Sequence, residues 1–353
     1  MAVKWSDSYS VKWKLYSVNE DTWADGEDLS RYVSSMSISK DGTDSVPLLE
    51  TGSASLDIPL GTDFKEGYYR IVAFVFQGAV AERHAIATLL MEQTKNEVKS
   101  FAFGSNSVSV QGRSVLAPAA DRVCLAGTYA PRGANGAEWV RDLLEDCLNA
   151  EVEIIGDGFY LDDHITFSGG TSYLSMCWDV LDTGGWVMGI DGDGFVTIYE
   201  RPEVPKTELN RITWSYYQPN FSSDKNLSSI PNRYIAVSND LVEIVENHDP
   251  ESETSYEARG RWVDSYDSSP KRINGESLYA YALRRLEEES TCIVKWTYKR
   301  EFIPGLVPFD LIDAELPEYG INGYMRVLSQ NYTLDKGITV SETVGIELKE
   351  FEA

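Results

Sequence analysis

Residues 291–302 read Thr-Cys-Ile-Val-Lys-Trp-Thr-Tyr-Lys-Arg-Glu-Phe, and residues 338–349 read Ile-Thr-Val-Ser-Glu-Thr-Val-Gly-Ile-Glu-Leu-Lys. In the first stretch Val294, Trp296, Tyr298 and Phe302 share one side of an extended chain, with Arg300 the only break, while Lys295, Thr297, Lys299 and Glu301 share the other. In the second, Ile338, Val340, Val344, Ile346 and Leu348 repeat the pattern, interrupted by Glu342, opposite Thr339, Ser341, Thr343, Glu347 and Lys349. A period of two is the signature of a half-buried strand, because successive side chains point to opposite faces. Between the two runs, Pro304-Gly305, Pro308 and Asn322-Gly323 supply turn chemistry, since proline fixes φ and glycine or asparagine accepts positive φ. The chain therefore closes in antiparallel strands of a barrel or sandwich.

Working outward, the first 122 residues carry the same signature. Val11, Trp13 and Leu15 alternate with Lys12, Lys14 and Tyr16, and Ala54, Leu56, Ile58 and Leu60 alternate with Ser55, Asp57 and Pro59. Strands are also expected at Tyr69 to Phe76, His84 to Gln93 and Val98 to Phe103. From Gly127 the period changes. Asn135 can cap a helix with Val140, Leu143, Leu144, Cys147 and Leu148 on one face, and Thr171 can cap a second with Leu174, Cys177, Trp178 and Leu181, ended by Gly184-Gly185. Short strands at Glu151 to Ile155 and His164 to Phe167, and a hairpin turning at Asp191-Gly192-Asp193-Gly194, complete an α+β unit. A connector follows at 204–231, with a possible strand at Ile212 to Tyr217, then a strand candidate at Asn232 to Val237 and a helix within 274–290 presenting Tyr279, Ala282, Leu283 and Leu286. The expected fold is mainly β with α+β: two tube-like β-barrel domains, 1–122 and 232–353, flanking a small α+β domain at 127–203, with a short helix inserted in the second barrel.

Composition narrows the function. The chain of 353 residues is 42% hydrophobic and 25% charged, as an ordered globular protein is. No apolar run reaches the roughly 18 residues that cross a bilayer as a helix, and Met1 to Asp7 lacks the apolar core of a signal peptide, so synthesis and retention in a cytoplasm are expected. Fifty-six acidic against thirty-one basic residues give a net charge of -25, which argues against gripping a polyanion from outside. Cys124, Cys147, Cys177 and Cys292 lack Cys-x-x-Cys spacing and are read as free thiols.

No catalytic or metal motif stands out. His84, His164 and His248 are at least 80 residues apart, and Asp191-Gly192-Asp193-Gly194 lacks the later ligands of a calcium loop. There is no nucleophile elbow, Walker loop or dinucleotide fingerprint. No catalytic, cofactor or metal site is expected. One charge feature remains: Asp240, Glu243, Glu246, Asp249, Glu251, Glu253 and Glu257 fall in a stretch without Lys or Arg. It reads either as a solvated loop or as the wall of a passage that keeps a phosphate backbone from sticking.

Glu27-Asp28-Leu29-Ser30 through Ser37-Ile38-Ser39, Gln111-Gly112-Arg113-Ser114-Val115-Leu116-Ala117-Pro118, Pro231-Asn232-Arg233-Tyr234-Ile235-Ala236-Val237, Gly260-Arg261-Trp262 and Gly323-Tyr324-Met325-Arg326-Val327-Leu328-Ser329 together resemble the baseplate hub and tail-tip proteins of tailed bacteriophages, including the hub portion of tail-associated lysins. That resemblance implies a non-enzymatic homotrimer at the virion tail tip, in which two tube-like barrels per chain make a pseudo-sixfold ring. It implies contacts with the tail-tube or distal-tail protein, the tape-measure protein and fibre or receptor-binding components, with DNA only in transit. Many relatives continue into a hydrolase or fibre region, whereas this sequence stops at Ala353, so lysis and receptor binding are not expected of it. The polar strand faces, Lys295, Thr297, Lys299, Glu301, Thr339, Ser341, Glu347 and Lys349, are then candidates for lumen or ring contact. The rival readings are a carbohydrate-binding protein, from 9 Trp and 20 Tyr, and a cell-wall hydrolase.

Overall fold

A computed structural model of the protein describes residues 8–42, 48–100, 105–148, 151–202, 211–213, 217–224, 227–238, 241–316, 321–349 and 351. The first part contains β1 (Ser10–Val18), β2 (Asp25–Asp28), β3 (Val33–Asp41), β4 (Glu50–Pro59), β5 (Gly67–Gln77), β6 (Val80–Ser100), β7 (Ser105–Ser114) and a short helix α1 (Ala117–Asp121). The central part contains β8 (Tyr129–Ala130), α2 (Gly136–Glu145), β9 (Val152–Ile155), β10 (Ile165–Thr166), α3 (Tyr173–Thr183), β11 (Trp186–Ile190) and β12 (Val196–Glu200). The last contains β13 (Arg211–Thr213), β14 (Tyr217–Asp224), β15 (Arg233–Ser238), β16 (Leu241–Glu246), α4 (Tyr256–Arg259), β17 (Asp264–Asp267), α5 (Leu278–Glu289), β18 (Thr291–Glu301), β19 (Leu311–Leu316), β20 (Ile321–Leu334) and β21 (Ile338–Lys349). The protein is mainly β, as expected.

The sheet runs differently from two separate barrels. One 13-stranded ladder has the order β14-β18-β21-β20-β3-β4-β7-β6-β5-β1-β2, with β19 and β13 branching from β20. The join is β20 against β3, from Ser329 opposite Asp41 to Leu334 opposite Met36. No closed hydrogen-bonded barrel occurs among the described residues. Side chains bring β1 to the far side instead: Trp13 Nε1 donates to Asp335 O at 2.7 Å and the Tyr9 hydroxyl to Phe302 O at 3.0 Å.

Two apolar cores lie under this ladder. One gathers Leu15, Ile38, Leu56, Ile71, Leu89 and Val108 from the first part with Phe302, Tyr332, Leu334, Ile338 and Val340 from the last. The other holds Tyr298, Leu306, Ile312, Met325, Val327 and Val344. Strands β20 and β21 serve both, and their pairing shifts register between Val327 and Ser329, which lets one hairpin bend from one core to the other.

Several local expectations are corrected. The strands expected at His84 to Gln93 and from Val98 are one strand, β6, whose register shifts between Gln93 and Lys95 and again between Val98 and Ser100; each bulge breaks the alternation that marks a single strand. Residues 101–104 lie outside the described residues. Asn322-Gly323 is not a turn but part of β20, opposite Glu315 and Ala314, because these residues tolerate positive φ without requiring a reversal. Thr171 does not cap α3; Ser172 does, accepting from Ser175 N. Tyr279 faces outward, and α5 buries Leu278, Tyr281, Ala282 and Leu286. That helix packs on a separate sheet, β16-β15-β17. The stretch around 204–231 contributes β13 and β14 to the large ladder.

The central part plugs into both ends of the chain. Its α2 is capped by Asn135, whose side chain accepts from Ala137 N and Glu138 N, and α3 ends at Gly184 followed by Gly185 at φ 72°. The β11–β12 hairpin pushes Gly192 so close to β6 that a Cβ there would lie 2.0 Å from Ala85 O. Trp23 Nε1 and Arg70 Nη2 both donate to Asp193 O, at 2.7 and 2.9 Å. Trp23, Leu49 and Phe309 adopt positive φ (56°, 60° and 73°), and all three pack into the central core. Such backbone persists in a non-glycine residue only where packing imposes it, at roughly 1–3 kcal/mol each.

Candidate functional site

The outward face of the large ladder is a register-matched surface of small polar side chains. One row crosses seven strands: Glu301, Thr339, Thr333, Ser37, Ser53, Gln111 and Glu92, each opposite the next. A second runs Lys299, Ser341, Asn331, Ser39, Thr51 and Arg113. A third runs Ser35, Ser55, Ser109 and Lys95. The hydroxyls partly satisfy one another, with Ser37 Oγ 2.9 Å from Ser53 Oγ and Thr297 Oγ1 3.0 Å from Thr343 Oγ1. A wide, open groove of about 600 Å³ lies on this face, lined by Ser35, Ser37, Ser53, Ser55, Thr94, Ser109, Gln111 and Thr333 together with Met36, Ala54 and Val110. The face carries charges of both signs, Glu301 and Glu92 against Lys299, Arg113 and Lys95. Arg113 is held by Asp121 at 2.8 Å and Glu92 at 3.2 Å, and that guanidinium lowers the pKa of the Asp121 carboxyl.

Lys295, Lys299, Glu301 and Thr339 are exposed on this face, and Thr297 and Ser341 are half-buried. Glu347 and Lys349 are strand positions of β21, but their side chains lie outside the described residues. The Ser-rich rows on β3, β4 and β7 were the part the sequence reading missed. Their signal was present in Ser35-Met36-Ser37-Ile38-Ser39, where serine alternates with an apolar residue.

Beneath the face, the two breaks in the terminal strands meet. Arg300 Nη2 and Nε bond Glu342 at 2.6 and 3.0 Å, Tyr298 OH donates to Glu342 at 2.6 Å, and Gln330 Nε2 donates to it at 2.6 Å. Tyr332 OH completes the group at 2.9 Å from Gln330 Oε1. Burial alone would raise the Glu342 pKa, but the Arg300 charge and these donors hold it below its ordinary value. The cross-strand line Tyr298, Glu342, Gln330, Lys40, Glu50 forms a buried polar band between the two apolar cores. Lys40 reaches Glu50 Oε1 at 2.5 Å. Burial pushes the Glu50 carboxyl up against the opposing pull of Lys40, and its other oxygen has no hydrogen-bond partner among the described residues.

The acidic stretch lies elsewhere, on β16 and the loop leading to α4. Asp240 is outside the described residues. Glu243 is half-buried, and Glu246, Asp249, Glu251, Glu253 and Glu257 line the strand and loop. His248 bridges Glu257 at 2.8 Å and Glu246 at 3.3 Å, and these hydrogen bonds, that to Glu257 foremost, raise its pKa. His84 contacts Glu82 at 3.1 Å, and His164 Nδ1 accepts from Arg132 N. In the 191–194 turn Asp191 accepts from Phe195 N, while Asp193 faces Arg70 and Arg83. Its acids serve a turn and two arginines.

No protein-family model matches the sequence, and no curated protein matches it. The fold, however, is that of phage tail proteins. A tail protein from Neisseria meningitidis MC58 superposes with a TM-score of 0.67 at 13% identity, over 96% of this chain and 97% of that one. The 43 kDa tail protein of prophage MuSo2 from Shewanella oneidensis gives 0.62 at 11% identity, over 97% and 99%. A prophage tail protein from Listeria monocytogenes EGD-e gives 0.56 at 13% identity, over 94% of each.

Proposed function

We propose that this chain is a non-enzymatic structural hub of a phage tail tip, three copies of which form a ring around a passage for DNA. The observation that carries the reading is the register-matched hydroxyl face spanning β18-β21-β20-β3-β4-β7-β6. A passage for a polyanion needs a surface that hydrates it without holding it. Short Ser, Thr and Asn side chains do this, whereas Lys and Arg rows would bind phosphate. In a chain of net charge -25, the charged positions of these rows, Glu301 and Glu92 against Lys299, Arg113 and Lys95, nearly balance, a local property that the composition does not dictate.

The two cores under one ladder support the symmetry. Each chain offers two runs of strands in one continuous sheet, β1–β7 and β18–β21, joined at β3 and β20, and three such chains present six, so that a threefold hub can abut a sixfold tube. The likeness in fold to prophage tail proteins agrees with placing the hub in a virion tail. Its neighbours there would be the tail-tube or distal-tail protein, the tape-measure protein and the fibre or receptor-binding components. The carbohydrate-binding alternative needs exposed aromatic faces; the described tryptophans are buried or half-buried, and the rings left to serve it are the exposed tyrosines Tyr129, Tyr160, Tyr256, Tyr266, Tyr279 and Tyr324. Mass measurement and low-resolution imaging of the purified chain test the proposal. A trimer with a central hole is expected, and a monomer that persists at high concentration overturns it.

A further inference from the structure

The sheet β16-β15-β17 is covered on one side only. Tyr234, Ala236 and Val245 face α5 and are buried, so the alternate positions face outward. There, Ile244, Ile235 and Tyr266 lie opposite one another across the three strands, followed by Val242 opposite Val237. Val242 is 56% exposed, Ile244 49% and Tyr266 63%. One end of the face is closed by Arg233, which bonds Asp264 at 2.7 Å and lies 3.8 Å from Glu246. Arg233 also sits 4.9 Å above the Trp262 ring, which stacks on Tyr256.

Strand β16 is also an edge: among the described residues it pairs with β15 and with nothing on its far side. Its six pairs run without a register shift, and 241–248 contains no proline, lysine or arginine. Edges left flat and apolar invite another strand, and proteins ordinarily blunt them with bulges, prolines or lysines. Here the guard consists chiefly of carboxylates, Glu243 and Glu246 on the strand with Glu251 and Glu253 beyond it, while Glu257, with Glu246, holds His248. Acidic guards oppose pairing with a second copy of this acidic chain, yet they attract a basic strand.

We infer that the outward face and free edge of this small sheet dock an extended basic segment of another protein, which adds a strand beside β16 and seats apolar side chains on Val242, Ile244 and Tyr266. Main-chain bonds would give affinity, the apolar row would set register, and the acidic rim would select the partner's charge. This site is separate from the hydroxyl face and does not depend on the ring.

The test uses the full chain and two labelled peptides, Lys-Val-Lys-Val-Lys-Val-Lys and Glu-Val-Glu-Val-Glu-Val-Glu, followed by fluorescence anisotropy. The basic peptide is expected to bind at least tenfold more tightly, to weaken as salt is raised, and to slow amide exchange at 241–246. The paired change Val242→Thr and Ile244→Thr keeps β-branched residues on the strand and is expected to lower affinity at least tenfold. Tyr266→Ser, on a different strand, is expected to lower it independently. Equal binding of both peptides, unchanged affinity in these variants, or self-association abolished by the paired change overturns the inference. The mass of the ring in the variants reads the hub proposal separately.

Discussion

Replacing Glu342 by glutamine is expected to destabilise the chain by about 3–5 kcal/mol, the usual consequence of leaving one member of a buried ion pair without its partner. The size follows from the site. Glu342 and Arg300 are fully buried, and the carboxylate accepts two bonds from Arg300, one from Tyr298 and one from Gln330. A glutamine keeps the shape but has one acceptor oxygen, so its amide group turns two hydrogens toward groups that are themselves donors. Guanidinium denaturation followed by tryptophan fluorescence and by circular dichroism measures the loss, with coincident transitions checking cooperativity. Arg300→Met alone should cost a similar amount. The double variant Arg300→Met with Glu342→Leu should cost less than the sum, with a coupling of about 2–3 kcal/mol, although Tyr298 and Gln330 then lose an acceptor. Acid gives a second readout. Because the folded pKa of Glu342 is lowered, its contribution is complete above the unfolded value near 4.3 and is lost as pH falls through the lower folded value. A single-variant loss below about 1 kcal/mol, or additive losses, would refute the reasoning, since a buried pair broken on one side cannot be that cheap.

Gly192→Ala is expected to cost about 1–3 kcal/mol by overpacking, because its Cβ would meet the backbone of Ala85; the midpoint of the same denaturation series reads it. His248 should titrate above its ordinary value by nuclear magnetic resonance, and Glu257→Gln should bring the midpoint down, since Glu257 is the leading cause of the shift. The contribution of this pairing to stability is present below the unfolded histidine value near 6.5 and disappears as pH rises through the folded one. A cysteine placed at Ser37 should react freely in the monomer, whereas in the assembled oligomer a small maleimide should still reach it and a long polyethylene glycol maleimide should be slowed. Equal rates for the two reagents in the oligomer count against an inward-facing groove.

The alternation in residues 291–302 and 338–349 announced β18 and β21 and the wet and dry sides of each, because period two depends only on the local chain. It also flagged Arg300 and Glu342 as breaks. What local pattern could not supply was that they break the apolar face at neighbouring positions across one ladder, so that each is the other's partner. The β20–β3 join was illegible for the same reason: alternation tells which way a side chain points and says nothing of which strand lies alongside. The hydroxyl face became visible only once register aligned Thr339, Thr333, Ser37 and Ser53. The long strand β6 was read as two because its bulges reset the period, and the sheet that α5 covers was illegible because amphipathicity fixes a buried stripe without naming what lies against it.

The join between β3 and β20 has a consequence for synthesis. The core that holds Leu15, Ile38 and Leu56 also needs Tyr332, Leu334, Ile338 and Val340, and Trp13 bonds Asp335 across 322 residues of chain. At ribosomal rates of about 5–20 residues per second, that partner emerges roughly 15 to 65 seconds after Trp13 does. Throughout that interval β3 presents an open edge and an unroofed apolar surface, so the amino-terminal strands cannot mature in order of translation. Until its own closing hairpin arrives, the nascent chain carries an edge that a neighbour on the same polysome can pair with.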